Sequence, residues 1–176
     1  MDKDLVYVGM SGDVIHPGHI NVLKIAESYG EVIVGLLTDK AISSYKKVPL
    51  MSYEERFIVL SGIKHISKII KQETLDYTSN LTKLKPKYVV HGDDWKKGIQ
   101  KKTRENVIKT IKKWSGKLIE PKYTKDVSSS SIKNKINDII SYPENRVTRL
   151  KRLIYSKEIV RILESHNSLT GLIIEN

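Results

Sequence analysis

The chain reads as an α/β fold, a Rossmann-like parallel sheet with helices on both faces, and three features of its 176 residues say so. Short apolar runs alternate along the sequence with stretches whose apolar residues recur every three or four positions, the order of a β-α-β-α chain. Several runs are apolar at successive positions rather than every second one, as in strands covered on both faces. Chemistry-bearing residues follow the ends of those runs, where open parallel sheets have their ligand crevice.

Leu5 to Val8 is the first strand, and it runs into the small-residue turn Gly9-Met10-Ser11-Gly12-Asp13 and then His16-Pro17-Gly18-His19. Pro17 suits a first helical position because the N–H it lacks would have been unpaired there, and Gly18 lets a ligand approach the backbone closely. Apolar Val22, Leu23, Ile25 and Ala26 give a helix over 20–29, Gly30 closes it, and Glu31 to Leu37 is the second strand, ended by Thr38-Asp39. Ser52-Tyr53-Glu54-Glu55 has the form of a capping box and opens a helix over 56–63. Ile66 to Ile70 is a third strand, 75–84 a helix, and Tyr88 to Val90 a fourth strand leading directly into His91-Gly92-Asp93-Asp94-Trp95.

From Lys96 to Lys117 a dense run of cations meets only Glu105, while Val107, Ile108, Ile111 and Trp114 fall at helical spacing; this is an amphipathic helix with a solvated basic face. Leu118 to Glu120 is the last strand. Ser128 to Ser131 precede a helix over 132–140, so hydroxyls stand where a helix N-terminus needs partners. Ser141-Tyr142-Pro143-Glu144-Asn145 is a polar break, giving a domain over 1–140, a linker over 141–149 and a helical extension over 150–176.

Composition narrows the function. There is no Cys, and the first thirty residues hold no apolar stretch of signal or membrane-span length, so a soluble cytoplasmic protein with no membrane partner is expected. A net charge of +11 points to anionic partners. No helix-turn-helix, RNA-recognition or zinc-finger pattern is present and aromatics are sparse along 96–117, so phosphorylated small molecules are expected rather than nucleic acid. The first loop has Gly9-x-x-Gly12 in place of Gly-x-Gly-x-x-Gly, which argues against a dinucleotide-dependent dehydrogenase. His65, His91 and His166 are scattered, so no protein-held metal is expected.

The sharpest feature is the first turn. A helix start directly after a strand turns free N–H groups and the positive helix end toward whatever binds there, which suits phosphate. His16 and His19, three residues apart, add donors on nearly the same face. Residues 9–19, Asp39, 91–95 and the serine run all follow strand ends, so they can converge on one mouth.

Residues 5 to about 138 resemble a cytidylyltransferase of the HxGH nucleotidylyltransferase superfamily. Ser11 to His19 resembles the signature Thr-x-Asp-x-x-His-x-Gly-His, Ser52 to Arg56 a Ser-Tyr-Glu-x-Arg element, His91 to Trp95 a Gly-Asp-Asp-Trp element, and Tyr123 to Ser130 the Arg-Thr-Glu-Gly-Ile-Ser-Thr-Thr segment. The resemblance implies that His16 and His19 bind the phosphates of CTP and stabilise the charge that grows as an acceptor oxygen attacks the α-phosphorus, with pyrophosphate leaving. It implies that Lys46 or Lys47 reaches the triphosphate, with Lys47 and Ser129 counted beside the histidines as catalytic. Ser128 and Ser130 would hold outer phosphates, while Gly9, Met10, Ser11, Gly12, Asp13 and Gly18 would wrap the nucleotide. His91 and the stretch from Gly92 to Trp95 would lie by the cytosine and ribose, with Asp93 the direct contact, Arg56, Lys64 and Tyr123 would lie by the acceptor, and Mg²⁺ would accompany CTP. Tyr123 and Lys64 stand where related enzymes have Arg, which removes bidentate phosphate recognition. Gly12 stands where the family often has Phe.

Residues 150–169 resemble the opening of phosphoenolpyruvate mutase. Cytidylyltransferase domains precede that mutase in phosphonate biosynthesis, which implies an N-terminal piece of a bifunctional protein and a small phosphonate acceptor, 2-hydroxyethylphosphonate or 2-aminoethylphosphonate. A phosphoalcohol acceptor, or adenylyl transfer, is the alternative. An ammonium tail calls for a carboxylate or aromatic face nearby; a hydroxyl tail needs only neutral partners. The 150–176 stretch has a plainer reading as well, a terminal helix packing on the domain or on a second copy; a homodimer is expected.

Overall fold

The computed structural model describes residues 3–122 and 143–156. Five parallel strands form one sheet: β1 (Leu5–Met10), β2 (Glu31–Leu37), β3 (Lys68–Gln72), β4 (Tyr88–Val90) and β5 (Lys117–Ile119). Their order is β3-β2-β1-β4-β5, so the chain steps outward one way from β1 and then crosses to the other side at β4. The helices are α1 (Pro17–Glu27), α2 (Asp39–Ser43), α3 (Tyr53–Ser61), α4 (Thr78–Leu84), α5 (Lys101–Ile111) and α6 (Pro143–Ser156). The expected doubly covered parallel sheet is present.

Alternation along the strands assigns the two faces. Val6, Val8 and Met10 of β1 and Val32, Val34 and Leu36 of β2 point to one side and pack on Leu23 and Ala26 of α1 and Leu60 of α3. Tyr7 and Val89 point to the other, against Leu81 of α4 and Val107 and Ile111 of α5. Burying each such aliphatic side chain contributes about 1.5–3 kcal/mol, so these two layers set the cohesion of the sheet. The basic stretch behaves as read: α5 buries Val107 and Ile111 and turns its lysines outward. Among the described residues no helix is long and apolar enough to cross a membrane.

Several boundaries move. β1 continues to Met10 because Gly9 and Met10 stay paired with Gly35 and Leu36, and the Tyr77 ring covers Gly9 from above. Thr38-Asp39, read as a strand stop, opens the short helix α2, with the Thr38 hydroxyl accepting from the Ala41 amide at 3.1 Å. The capping box at Ser52 and Glu55 forms as expected. The linker over 141–149 is corrected in its described part, since α6 begins at Pro143 and is continuous to Ser156. This helix packs on α2 of the same domain. Tyr123, the serine run 128–131, the helix expected over 132–140 and residues 157–176 lie outside the described residues.

Candidate active site

A cavity of about 270 Å³ opens at the carboxyl ends of the strands, between β1 and β4, where the strand order reverses. The end of β1 supplies Gly9, Met10 and Ser11; the start of α1 supplies His16, Gly18 and His19; the turn after β4 supplies His91, Gly92 and Asp94; and the segment after β5 supplies Pro121 and Lys122. Tyr45 and Lys46 enter from the connection after α2, and Tyr77 from the one before α4.

His16 is the N-cap of α1, and its Nδ1 accepts the Gly18 amide at 3.1 Å. That bond fixes the neutral tautomer with the proton on Nε2, which leaves Nε2–H as a donor. The His19 ring lies 4.0 Å from the His16 ring, centroid to centroid. Burial, with His16 and the Lys46 ammonium beside it, pushes His19 down to about 4. Burial also lowers His16 and His91. The pair is therefore uncharged at neutral pH, two directional donors that lose little solvation when an anion arrives. The His19 Nδ1 is buried and has no hydrogen-bond partner among the described residues. Buried polar atoms are nearly always paired, so an unpaired one on a pocket wall marks a place for a ligand atom.

Lys46 Nζ donates to the Ser11 hydroxyl at 3.2 Å and lies 5.2 Å from the centre of the Tyr45 ring. Burial raises Tyr45 to about 12 and raises Tyr77 as well, with Asp94 adding to both shifts, so both stay neutral phenols close to one carboxylate. His91 stacks flat on Trp95, with 3.9 Å between centroids and 7° between planes. Behind them Glu120 accepts from Trp95 Nε1 at 2.8 Å and takes both Nε and Nη2 of Arg104, and this pairing pulls its carboxyl down to about 2.

The structure brings Gly9, Met10, Ser11, His16, Gly18, His19, Lys46 and His91 onto one wall. It puts other expected residues elsewhere, for visible reasons. Gly12, at φ +62, turns the chain beneath the site, where a Cβ would meet the Leu60 side chain at 2.9 Å. Asp13 is fully buried and accepts the Leu50 and Met51 amides at 3.0 and 2.9 Å, so it ties down a loop. Trp95 is fully buried and supports His91 from behind rather than facing the cavity. Asp93 is half-buried with its amide donating to the Pro121 carbonyl, and its neighbour Asp94 lines the cavity instead. Lys47 is exposed off the wall.

Two acceptor assignments are corrected. Arg56 is fully buried, donating to the Met51, Ser11 and Leu37 carbonyls and to Asp39, so its guanidinium is used within the chain. Lys64 precedes β3 next to His65, which contacts Glu27 at the far end of α1; this is the amino end of the strands, away from the cavity at their carboxyl ends. Ser128, Ser129, Ser130 and Tyr123 lie outside the described residues. Sequence reasoning passed over Tyr45, Tyr77 and Lys122, and within 92–95 it favoured Asp93 where Asp94 lines the cavity. Lys122 was within reach of the strand-end rule, since it sits just past β5, whereas Tyr77 owes its place to the missing side chain of Gly9, a pairing only the fold reveals.

Among the described residues no three carboxylate or imidazole groups gather to hold a metal. Asp94 is the one carboxylate among the described residues that line the cavity beside its imidazoles and ammonium groups, so a Mg²⁺ there would depend for most of its ligands on a bound phosphate.

Comparison with known proteins agrees with this geometry. Residues 8–135 match the cytidylyltransferase-like family. An ethanolamine-phosphate cytidylyltransferase from Dictyostelium discoideum is 33% identical over 129 residues, 72% of this chain and 35% of that protein. A FAD synthase from Methanopyrus kandleri is 32% identical over 93 residues, 51% of this chain and 62% of that protein. The chain thus spans only part of the length of these relatives. A crystal structure of a lipopolysaccharide core biosynthesis protein from Thermoplasma volcanium superposes with a TM-score of 0.60 at 22% identity, covering 69% of this chain and 98% of that one, a likeness of fold. The family match starts inside β1 and runs past β5, so it takes in the whole sheet and every described strand end that faces the cavity, and this chain belongs to the cytidylyltransferase-like family of nucleotidyltransferases.

Proposed function

We propose that the protein transfers CMP from CTP to a small acceptor that carries a phosphonate or phosphate at one end and an ammonium group at the other. The observation that carries this reading is the paired, uncharged imidazoles of His16 and His19 at the start of α1, one with a buried nitrogen that has no partner among the described residues. An acceptor oxygen, already anionic, attacks the α-phosphorus; a new O–P bond forms, the α–β bridging bond breaks, and pyrophosphate leaves with the bonding electrons. Such a step needs positioning and charge stabilisation rather than a covalent intermediate. The donors of His16 and His19 stabilise the oxygens of the reacting phosphorus, Lys46 and Lys122 draw the outer phosphates, and the helix end adds its positive field. Ser128 to Ser130, with the helix expected behind them, are proposed to close on the same phosphates. Mg²⁺, carried on the triphosphate, would neutralise part of its charge.

The acceptor choice rests on Asp94, Tyr45 and Tyr77, a carboxylate and two neutral aromatic rings that line the same cavity. An ammonium tail is held by such a set and a hydroxyl tail does not require it. This supports 2-aminoethylphosphonate over 2-hydroxyethylphosphonate, and the resemblance of 150–169 to the opening of a phosphonate-forming mutase supports a phosphonate. The relatives named ethanolamine-phosphate cytidylyltransferase support the phosphate counterpart of the same molecule. The FAD synthases keep ATP as a second nucleotide to be tried.

Pyrophosphate release tests the reading directly, with CTP or ATP against 2-aminoethylphosphonate, phosphoethanolamine, 2-hydroxyethylphosphonate and glycerol 3-phosphate. Turnover is expected with CTP and the two amino acceptors. Faster turnover with ATP would reject the base, and equal turnover with the hydroxyl acceptors would reject the role given to Asp94.

A further inference from the structure

Between α2 and α3 the chain runs from Ser44 to Ser52 without regular structure, yet this stretch carries Tyr45 and Lys46 onto the cavity wall. An irregular segment holds a lysine in place only if its own backbone is tied down. The Leu50 peptide is gripped from both sides. Its amide donates to Asp13 at 3.0 Å, and its carbonyl accepts Nη1 of Arg152 at 2.7 Å. Arg152 comes from α6, about a hundred residues further along the chain. Its Nη2 donates to Asp39 Oδ2 at 2.8 Å, and the other oxygen of that carboxylate takes Nη2 of Arg56 at 2.6 Å. One turn on, the buried Ser156 meets the Ser43 hydroxyl at 3.3 Å, where the segment begins. The last described turns of α6 thus touch the segment at its start and near its end.

Arg56 and Arg152 divide the work on Asp39. Arg56 is fully buried and also holds the Ser11 and Leu37 carbonyls at the ends of β1 and β2, which makes it part of the frame. Arg152 keeps partial access to solvent and spends its two forks on Asp39 and on the Leu50 carbonyl, so it straps from outside a connection that Asp13, Arg56 and the Ile42 carbonyl hold from within. A planar guanidinium reaches two acceptors at fixed angles in a way a lysine cannot.

We propose that Arg152 is a positioning residue of the nucleotide site: it straps the 44–52 connection so that Tyr45 and Lys46 stand on the cavity wall, which makes the C-terminal helix a working part of the nucleotidyltransferase unit. The proposal rests on the functional reading above for what the strap serves, and stands on geometry alone for what it holds.

The experiment compares the full chain with Arg152→Ala and Arg152→Lys by amide hydrogen exchange and by steady-state kinetics. In Arg152→Ala the Leu50 and Met51 amides are expected to exchange at least tenfold faster while β1 amides keep their protection. KM for CTP is expected to rise on the order of tenfold with kcat changed less than threefold, because ground state and transition state lose the same grip on the triphosphate. Arg152→Lys is expected to fall between. In a Lys46→Ala background the Arg152→Ala effect on KM is expected to shrink below twofold, since the strap acts through that lysine. Unchanged exchange at Leu50 and Met51 overturns the strap. Faster exchange with an unaltered KM, or a KM effect that survives loss of Lys46, overturns its service to the nucleotide. If the parent protein turns over neither CTP nor ATP, the functional reading falls, while the exchange result still decides whether Arg152 holds the segment.

Discussion

At the scale of single residues, the histidine pair is set by local chemistry the sequence already displays. His-Pro-Gly-His after a strand places an N-cap, a first-turn proline, a backbone open to a ligand and a second imidazole in one turn, and the structure closes the cap through Nδ1 of His16. Replacing His16 by Ala is expected to cut turnover by about 10²–10³, the usual worth of a donor aimed at developing charge, and to lower the melting temperature by only about 2–4 °C for the lost N-cap; calorimetry beside the kinetics checks both. His19 gives the pH dependence. Its folded value of about 4 lies below the usual 6.5, so between those limits the unfolded chain takes up a proton that the folded chain refuses. Its contribution to stability is whole above pH 6.5 and is lost as pH falls toward 4. A His19→Asn variant is expected to lose less stability between pH 7 and 5 than the parent in urea titrations; parallel losses would show that burial of His19 does not control that window. Asp94→Asn is expected to raise KM for 2-aminoethylphosphonate about tenfold or more and to leave KM for CTP within twofold, a split that pyrophosphate assays read directly.

At the scale of elements, the strands and most helices were legible because each carries its own period and its own punctuation, as in the β2 run from Glu31 to Leu37 and the Ser52–Glu55 box. What the sequence hid depends on partners far along the chain. Arg56 sits in a motif that reads as a site residue, and only the fold shows its side chain bridging the ends of β1 and β2 and the Met51 carbonyl. Asp13 looks like a phosphate-loop residue and is instead the anchor of the Leu50 and Met51 amides. Helix α2 was missed because five residues give no period to detect, only the Thr38 cap. Arg56→Met is expected to destabilise the protein by about 3–5 kcal/mol, the cost of removing one partner of a buried pair and leaving several acceptors short of donors. Chemical denaturation measures it, and a loss below about 1 kcal/mol would mean that the frame does not depend on the guanidinium.

At the scale of the whole molecule, charge, topology and family point to the same mouth. A chain of net charge +11 gathers imidazoles, Lys46 and Lys122 at the switch point of its sheet, while the cations of α5 face solvent on a separate helix. The alternating pattern of runs made the switch point foreseeable, since any β-α-β chain that crosses sides leaves a crevice there. The proposed acceptor end was not foreseeable, because Tyr45, Tyr77 and Asp94 come from three connections that only the folded sheet brings together. Binding to the native state alone gives a global readout. CTP at a hundred times its dissociation constant is expected to add about 2.7 kcal/mol, on the order of 5–10 °C in a thermal melt, with a smaller shift for equal ATP. The most direct measurement is ³¹P NMR of the protein incubated with CTP, Mg²⁺ and 2-aminoethylphosphonate. A CMP–phosphonate anhydride forming in step with pyrophosphate, and absent when His16→Ala replaces the parent, is the expected spectrum. Intact CTP with the parent protein, or the same product from the variant at the parental rate, would contradict the assignment of cytidylyl transfer to this histidine pair.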